Sequence, residues 1–81
     1  MKPDLDKIDE AVLALLPLTS FTEGKGEFAY IRAWKGHDWE AMNRLHQKGM
    51  ISDPKKKAKS VLITKGGRQR AEVLFRRLFC E

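Results

Sequence analysis

Apolar residues recur at three- and four-residue intervals near the start of the chain, and this period predicts an amphipathic first helix. The stripe consists of Leu5, Ile8, Val12, Leu15 and Leu16. Asp4 or Asp6 is suited to cap this helix, because a carboxylate accepts hydrogen bonds from the free amides of the first turn. Pro17 should stop or kink the helix, since its ring opposes a carbonyl of the preceding turn and it has no N–H to donate.

A helix-turn-helix is predicted for the middle of the chain. We expect a second, short helix over residues 27–35, broken by Gly36, and a third helix over residues 39–48, capped by Asp38. Two helices of this length joined through residues 36–38 have the proportions of a helix-turn-helix unit.

After Gly49, which is suited to end the third helix in the left-handed conformation, the apolar period changes from 3.6 to two. This change predicts a short strand over residues 50–52 and a longer one over residues 60–64. Residues 53–59 lie between them and consist of an Asp-Pro turn start followed by a lysine-rich run. The sequence therefore predicts a β-hairpin with a basic tip.

A last helix is predicted over residues 67–79, with Thr64 as a cap. Its apolar positions form one stripe. They are Ala71, Leu74, Phe75, Leu78 and Phe79.

The predicted order is thus three helices, a hairpin and a final helix. This is an α+β fold of the winged helix-turn-helix type, in one domain spanning residues 1–81, in which the third helix and the hairpin loop face the partner.

Several short stretches together resemble a family of short bacterial proteins classed as a domain of unknown function. They are DKIDE (6–10), LALL (13–16), RAWKG (32–36), DW (38–39), NRLH (43–46), KG (48–49), ISDP (51–54) and KAKSV (57–61). The resemblance covers nearly the whole chain and implies one domain, but no activity, cofactor or ligand. The chain departs from the expected pattern at Pro17 and at residues 65–67, where a lysine and two glycines weaken the start of the last helix.

Size and composition favour a binding domain over an enzyme. The 81 residues suffice for one core but not for a core with a deep substrate cleft. We find no phosphate-cradling glycine loop, nucleophile motif or Cys–His metal spacing, so we expect no catalytic residue, metal or cofactor. The lone Cys80 permits no intrachain disulfide, and the longest apolar run, residues 11–16, is too short to span a bilayer. We therefore expect a cytoplasmic protein without membrane contact.

The basic hairpin loop is the main candidate for function. Residues 25–81 carry fourteen Lys or Arg against six acids, while residues 1–24 carry two Lys against five acids. Ammonium groups on an exposed loop can neutralise phosphates and give affinity for nucleic acid, such as double-stranded DNA, without sequence preference. The candidate contacts are Lys55, Lys56, Lys57 and Lys59, with Arg44 and Lys48 of the third helix. The alternative is that lysines here only deter aggregation.

Base reading by the third helix is less favoured. With Met42 and Leu45 inward, four polar residues should face out, namely Glu40, Asn43, Arg44 and Gln47. However, Asp38 and Glu40 crowd the N-terminal turn, which normally enters the groove, and their carboxylates would repel phosphates.

A protein-interaction domain of the same fold is the competing hypothesis. Trp34 is one candidate for the interaction surface, since it is either a core residue or part of an exposed aromatic surface that stacks bases or holds a peptide. We interpret Trp39 as core. The stripe Phe75, Leu78 and Phe79 is long for so small a core, and its surplus can pair with a second copy. A homodimer through the terminal helices and a monomer both remain open.

Overall fold

The chain folds into three α-helices and a three-stranded antiparallel sheet in the order α1, β1, β2, α2, β3, α3. A computed structural model describes the backbone of residues 1–81 and the side chains of all of them except Phe28. The helices are α1 (Leu5–Leu15), α2 (Trp39–Gln47) and α3 (Lys65–Phe79), and the strands are β1 (Ser20–Glu23), β2 (Tyr30–Trp34) and β3 (Ser60–Leu62). None of the helices in this described part of the chain is both long enough and apolar enough to cross a membrane.

The α+β class predicted from the sequence is confirmed, but the second helix over residues 27–35 is wrong. Residues 30–34 form β2, which pairs with both β1 and β3. Side chains alternate along it, with Ala33 buried and Tyr30 and Trp34 exposed. Ile31 and Trp34 happen to be three residues apart, which imitates a helical period, yet the full segment follows the period of a strand. The element before α2 is therefore a strand, and no helix-turn-helix is formed there.

The predicted hairpin after Gly49 is present in reduced form. Instead of a strand over residues 50–52, only Ile51 makes a bridge, to Ile63, and the Ser52 amide donates to the Leu62 carbonyl at 2.9 Å. β3 pairs over its whole length with β2. The basic loop, residues 53–59, therefore runs from the segment that contains the single bridge residue Ile51 to strand β3. The other two strands of the sheet, β1 and β2, come earlier in the chain.

Helix α1 buries a face that matches its predicted apolar stripe only in part, since Val12 and Leu16 of the stripe are buried. Leu5 and Ile8 are exposed, whereas Asp9, Val12 and Leu13 are buried. The helix begins after the predicted cap Asp4, whose carboxylate accepts from the Lys7 amide at 3.1 Å. It ends at Leu15 and passes into a 3₁₀ turn (Leu16–Thr19), as the position of Pro17 predicts. The buried face of α1 thus includes a carboxylate, Asp9.

The core lies between the three helices and one face of the sheet. Helix α1 packs against both α2 and α3, and the 3₁₀ turn after it contacts β2. The buried apolar side chains are Val12, Leu13, Ala14, Leu16, Ala33, Ala41, Met42, Leu45, Ile51, Val61, Ile63, Ala71 and Leu74. Met42 and Leu45 face inward on α2 as predicted, and Asp38 caps that helix by accepting from the Ala41 amide at 3.0 Å. Gly49 follows α2 with a φ of +78°, as expected.

The start of α3 packs closely against the backbone of Gly49 and Met50, which follow α2. Thr64 caps α3 as predicted by accepting from the Gly67 amide at 3.0 Å, and its hydroxyl donates to the Gly49 carbonyl at 2.7 Å. A Cβ on Gly67 would collide with the Met50 carbonyl, while a Cβ on Gly66 would meet nothing. The glycine that weakens this helix terminus by propensity is therefore required by the close approach of two backbones.

These two glycines give a matched test of the packing. We expect Gly67→Ala to lower the free energy of unfolding by about 2 kcal/mol or more, because the backbones must separate. Gly66→Ala should raise it by up to about 1 kcal/mol, since alanine favours a helix and fills open space. Chemical denaturation of the two variants and the parent protein measures both changes. Equal effects of the two substitutions would contradict the close approach of α3 to Met50.

Candidate nucleic-acid interface

Arg44 and Lys48 are bound to a buried carboxylate. Asp9 on α1 is 1% exposed, and its two oxygens accept hydrogen bonds from Arg44 Nε at 2.9 Å each, while an Arg44 terminal nitrogen lies 2.8 Å from Oδ1. Lys48 Nζ donates to Asp9 Oδ2 at 2.8 Å and to Asp6 Oδ1 at 3.2 Å. Arg44 lies on α2 and Lys48 directly follows it in helical conformation, so their four-residue spacing places both cations on one acid.

The pKa of Asp9 is held below its ordinary value of 3.8. Burial alone raises it, but hydrogen bonds from Arg44 and Lys48 together with their charges outweigh that effect. The same contacts raise the pKa of Lys48. All three groups are therefore charged at neutral pH, and the two cations act as counterions of Asp9.

The acids of α1 neutralise cations from both neighbouring helices. Besides the Asp9 contacts, Glu10 pairs with Arg70 of α3 at 2.9 Å. On α3, Arg76 pairs with Glu72 one turn earlier at 2.7 Å. Arg44, Lys48, Arg70 and Arg76 are thus paired with acids inside the helical layer.

The loop lysines are placed differently. Lys55, Lys56, Lys57 and Lys59 are exposed, and among the side chains that the structure describes none of them takes part in an ion pair. The structure brings these four together on one short loop. It places Arg44 and Lys48 elsewhere, against α1.

The basic loop is anchored although its lysines are exposed. Lys35 Nζ donates to the carbonyls of Pro54 and Lys56 at 2.8 and 2.6 Å, and the Lys35 amide donates to the Lys59 carbonyl at 3.2 Å. Pro54 is buried. Because Lys35 directly follows β2, these bonds fix the loop to the end of the sheet at which Trp34 lies.

The outer face of the sheet carries aromatic side chains that the sequence analysis did not assign to a sheet. Phe21 pairs in register with Arg32, and Trp34 pairs with Ser60, so all four share the face opposite the core. The rings of Phe21 and Trp34 lie 5.1 Å apart at 39°. Trp34 is 53% exposed. Alternation over residues 30–34 is the signal that would have found this face.

Arg32 lies across the same face. Its Nε donates to the Ser60 hydroxyl and a terminal nitrogen donates to the Ser60 carbonyl, both at 2.8 Å, and its Nε lies 3.9 Å from Glu23. At the end of the face away from the basic loop, hydrogen bonding to Glu23 raises the pKa of Tyr30. The face therefore has an acidic end at Glu23 and a basic end beside Trp34.

The other predicted surfaces are distributed over the helices. The interpretation of Trp39 as core is wrong, since its side chain is 51% exposed. Trp39 is the first residue of α2, and the buried positions of that helix begin at Ala41. On α3, Phe75 and Phe79 make an edge-to-face contact at 5.4 Å, and Leu78 and Phe79 are each 50% exposed. The apolar stripe of α3 thus extends beyond the core, as predicted.

Comparison with known proteins confirms the resemblance to a family of unknown function. The family described as Domain of unknown function (DUF6429) matches residues 4–81. The chain is similar to "Uncharacterized protein y4hR" of Sinorhizobium fredii, with 52% identity over 79 residues, 98% of this chain and 97% of that protein. No solved structure matches. The winged-helix label therefore has no support from a neighbouring structure.

The buried ion cluster predicts a specific stability pattern. We expect Asp9→Asn to lower the free energy of unfolding by about 3 kcal/mol, the lower end for a broken buried pair, because Arg44 and Lys48 retain some access to water. Asp6→Asn should cost less than about 1 kcal/mol, since Asp6 is exposed and contacts only Lys48. Chemical denaturation at neutral pH compares them. A cost for Asp9→Asn no larger than that for Asp6→Asn would contradict the role given to Asp9.

The same cluster fixes the sign of the acid dependence. Because the folded pKa of Asp9 lies below its unfolded value, its ionisation stabilises the fold above about pH 4, and this contribution is lost as the pH falls through the folded pKa. Thermal unfolding from pH 7 downward should therefore show a steeper loss of Tm below about pH 4 in the parent protein than in Asp9→Asn. Parallel profiles would contradict this assignment.

Proposed function

The chain belongs to the family described as Domain of unknown function (DUF6429), and from its surface we propose that it binds nucleic acid, mainly through phosphate contacts of the basic loop. The observation that carries the proposal is the contrast between two sets of cations. Arg44, Lys48 and Arg70 are paired with acids of α1, whereas the lysines of the loop are exposed and form no ion pair among the described side chains. Unpaired ammonium groups close together are what a chain of phosphates requires.

The anchoring of the loop supports the proposal. A flexible lysine tail must lose conformational entropy when it binds, but this loop has the backbone carbonyls of Pro54 and Lys56 hydrogen-bonded to Lys35. Anchoring reduces that loss, because the backbone that carries the four lysines is already fixed to the end of the sheet.

We do not extend the proposal to reading of base sequence by α2. Asp38 is used as the cap of that helix, Glu40 adds a second acid to its first turn, and Arg44 is held by Asp9. Phosphate contact by the loop carries no sequence information by itself. We therefore propose a binding protein of low sequence preference, without catalysis, acting in the cytoplasm where nucleic acid is accessible.

An interaction between proteins is a second candidate, favoured by one observation. Leu78 and Phe79 at the end of α3 are half-exposed and adjacent to Phe75. An apolar patch of this kind suits a second copy of the chain or another protein. A homodimer through α3 is compatible with nucleic-acid binding by the loop, since the two surfaces use different elements.

Titration of a fluorescently labelled oligonucleotide across a salt series tests the proposal. If the four loop lysines each neutralise one phosphate, the log–log slope of affinity against salt should be near −3 to −4. Replacing Lys55, Lys56 and Lys57 with Gln should bring the slope to about −1 and weaken binding at low salt.

The matched control replaces Lys2, Lys7 and Lys25 with Gln, which removes the same charge from exposed lysines outside the loop. This control should keep the slope of the parent protein within about one unit. Equal losses of affinity and salt slope in the two triple variants would mean that binding depends on net charge and not on the loop. Absence of binding at low salt would reject the proposal and favour the second candidate.

A further inference from the structure

The outer face of the sheet presents flat apolar rings directly beside the basic loop. Phe21 and Trp34 are neighbours across β1 and β2, and Trp34 is half-exposed although it belongs to the central strand of the sheet. Leu62 lies on the same face opposite Arg32. In a small domain, an exposed tryptophan on a central strand leaves a large apolar surface without a partner, which marks a binding surface.

The loop supplies charge at the edge of this surface. Trp34 is followed by Lys35, whose side chain holds the loop, and it pairs in register with Ser60, which is preceded by Lys59. The basic loop is therefore attached at the Trp34 end of the face, while Glu23 lies at the opposite end beside Tyr30. A bound molecule that stacks on Trp34 would have its anionic groups at the loop.

Aromatic rings bordered by cations match the chemistry of unpaired nucleotides. Each nucleotide joins a planar base to a phosphate, and base stacking on aromatic side chains together with phosphate contacts is how sequence-tolerant proteins bind single strands. A duplex does not offer this contact, because its base faces are stacked on one another and only the edges are accessible.

We propose that the outer sheet face, built from Phe21, Trp34 and the adjoining lysines of the basic loop, binds single-stranded nucleic acid by stacking at least one base on Trp34. This inference rests on the proposed function and adds the class of nucleic acid and the residue that distinguishes it. The loop provides affinity for any phosphate chain, and Trp34 provides the preference for unpaired strands.

Tryptophan fluorescence tests this because the chain has two tryptophans on different elements. Trp39→Phe leaves Trp34 as the sole tryptophan, and Trp34→Phe leaves Trp39. Titration with an oligothymidylate of roughly ten nucleotides should quench the emission of the Trp39→Phe protein and leave that of the Trp34→Phe protein nearly unchanged. Quenching in both proteins to the same extent would overturn the assignment to Trp34.

Affinity measurements separate this inference from the proposed function. Trp34→Ala should weaken binding of the single strand roughly 10- to 100-fold and leave affinity for a duplex of equal length unchanged, while Trp34→Phe should restore most of the loss. If the parent protein binds duplex and single strand alike and Trp34→Ala alters neither, the loop function stands and the stacking inference is wrong.

If neither nucleic acid binds at low salt, both proposals fail together. Sedimentation of the same proteins then shows whether a second copy covers the face, in which case Trp34→Ala would abolish self-association. Should Trp34→Ala prove unfolded by circular dichroism, the difference in quenching between the Trp39→Phe and Trp34→Phe proteins still decides the question.

Discussion

The buried carboxylate of Asp9 is the constraint on which the arrangement of helices depends. A charge that is 1% exposed is stable only if it is paired and hydrogen-bonded, and the guanidinium of Arg44 and the ammonium of Lys48 together meet that requirement. In α1, Asp9 faces the interior whereas Leu5 and Ile8 face solvent. The Asp9 contacts join α1 to the C-terminal end of α2, where Arg44 and the cap residue Lys48 lie.

The same interaction determines which surface is free for function. Acids of α1 neutralise Arg44, Lys48 and Arg70, so these three cations are already paired within the helical layer. The lysines of the basic loop are not paired with these acids, and the loop that carries them is hydrogen-bonded to the end of the sheet through Lys35. The fold therefore separates a helical side, where charges stabilise packing, from a sheet end, where charges and aromatic rings face solvent.

Local signals predicted much of this structure, and long-range pairing was the part that they could not supply. The caps Asp4, Asp38 and Thr64 act within one helical turn, so the sequence identifies them directly. Strand β2 was taken for a helix because its apolar spacing fits both periods and because one of its partners, β3, lies far away in the chain. The role of Gly67 depends on the distant Met50 carbonyl, and the pairing of Arg44 depends on an acid 35 residues earlier. Residue type shows that an arginine can bind phosphate, but only the fold shows that the Arg44 guanidinium is already hydrogen-bonded to the carboxylate of Asp9.

The most direct test of this separation is a map of amide, arginine Nε and tryptophan indole signals by nuclear magnetic resonance during titration with a single-stranded oligonucleotide. The account predicts large shift changes over residues 53–59 and at the Trp34 indole, with the Arg44 Nε signal unchanged because it stays bonded to Asp9. Changes concentrated on exposed positions of α2 such as Gln47, together with movement of the Arg44 signal, would contradict it. That result would mean that Arg44 leaves Asp9 to bind the ligand.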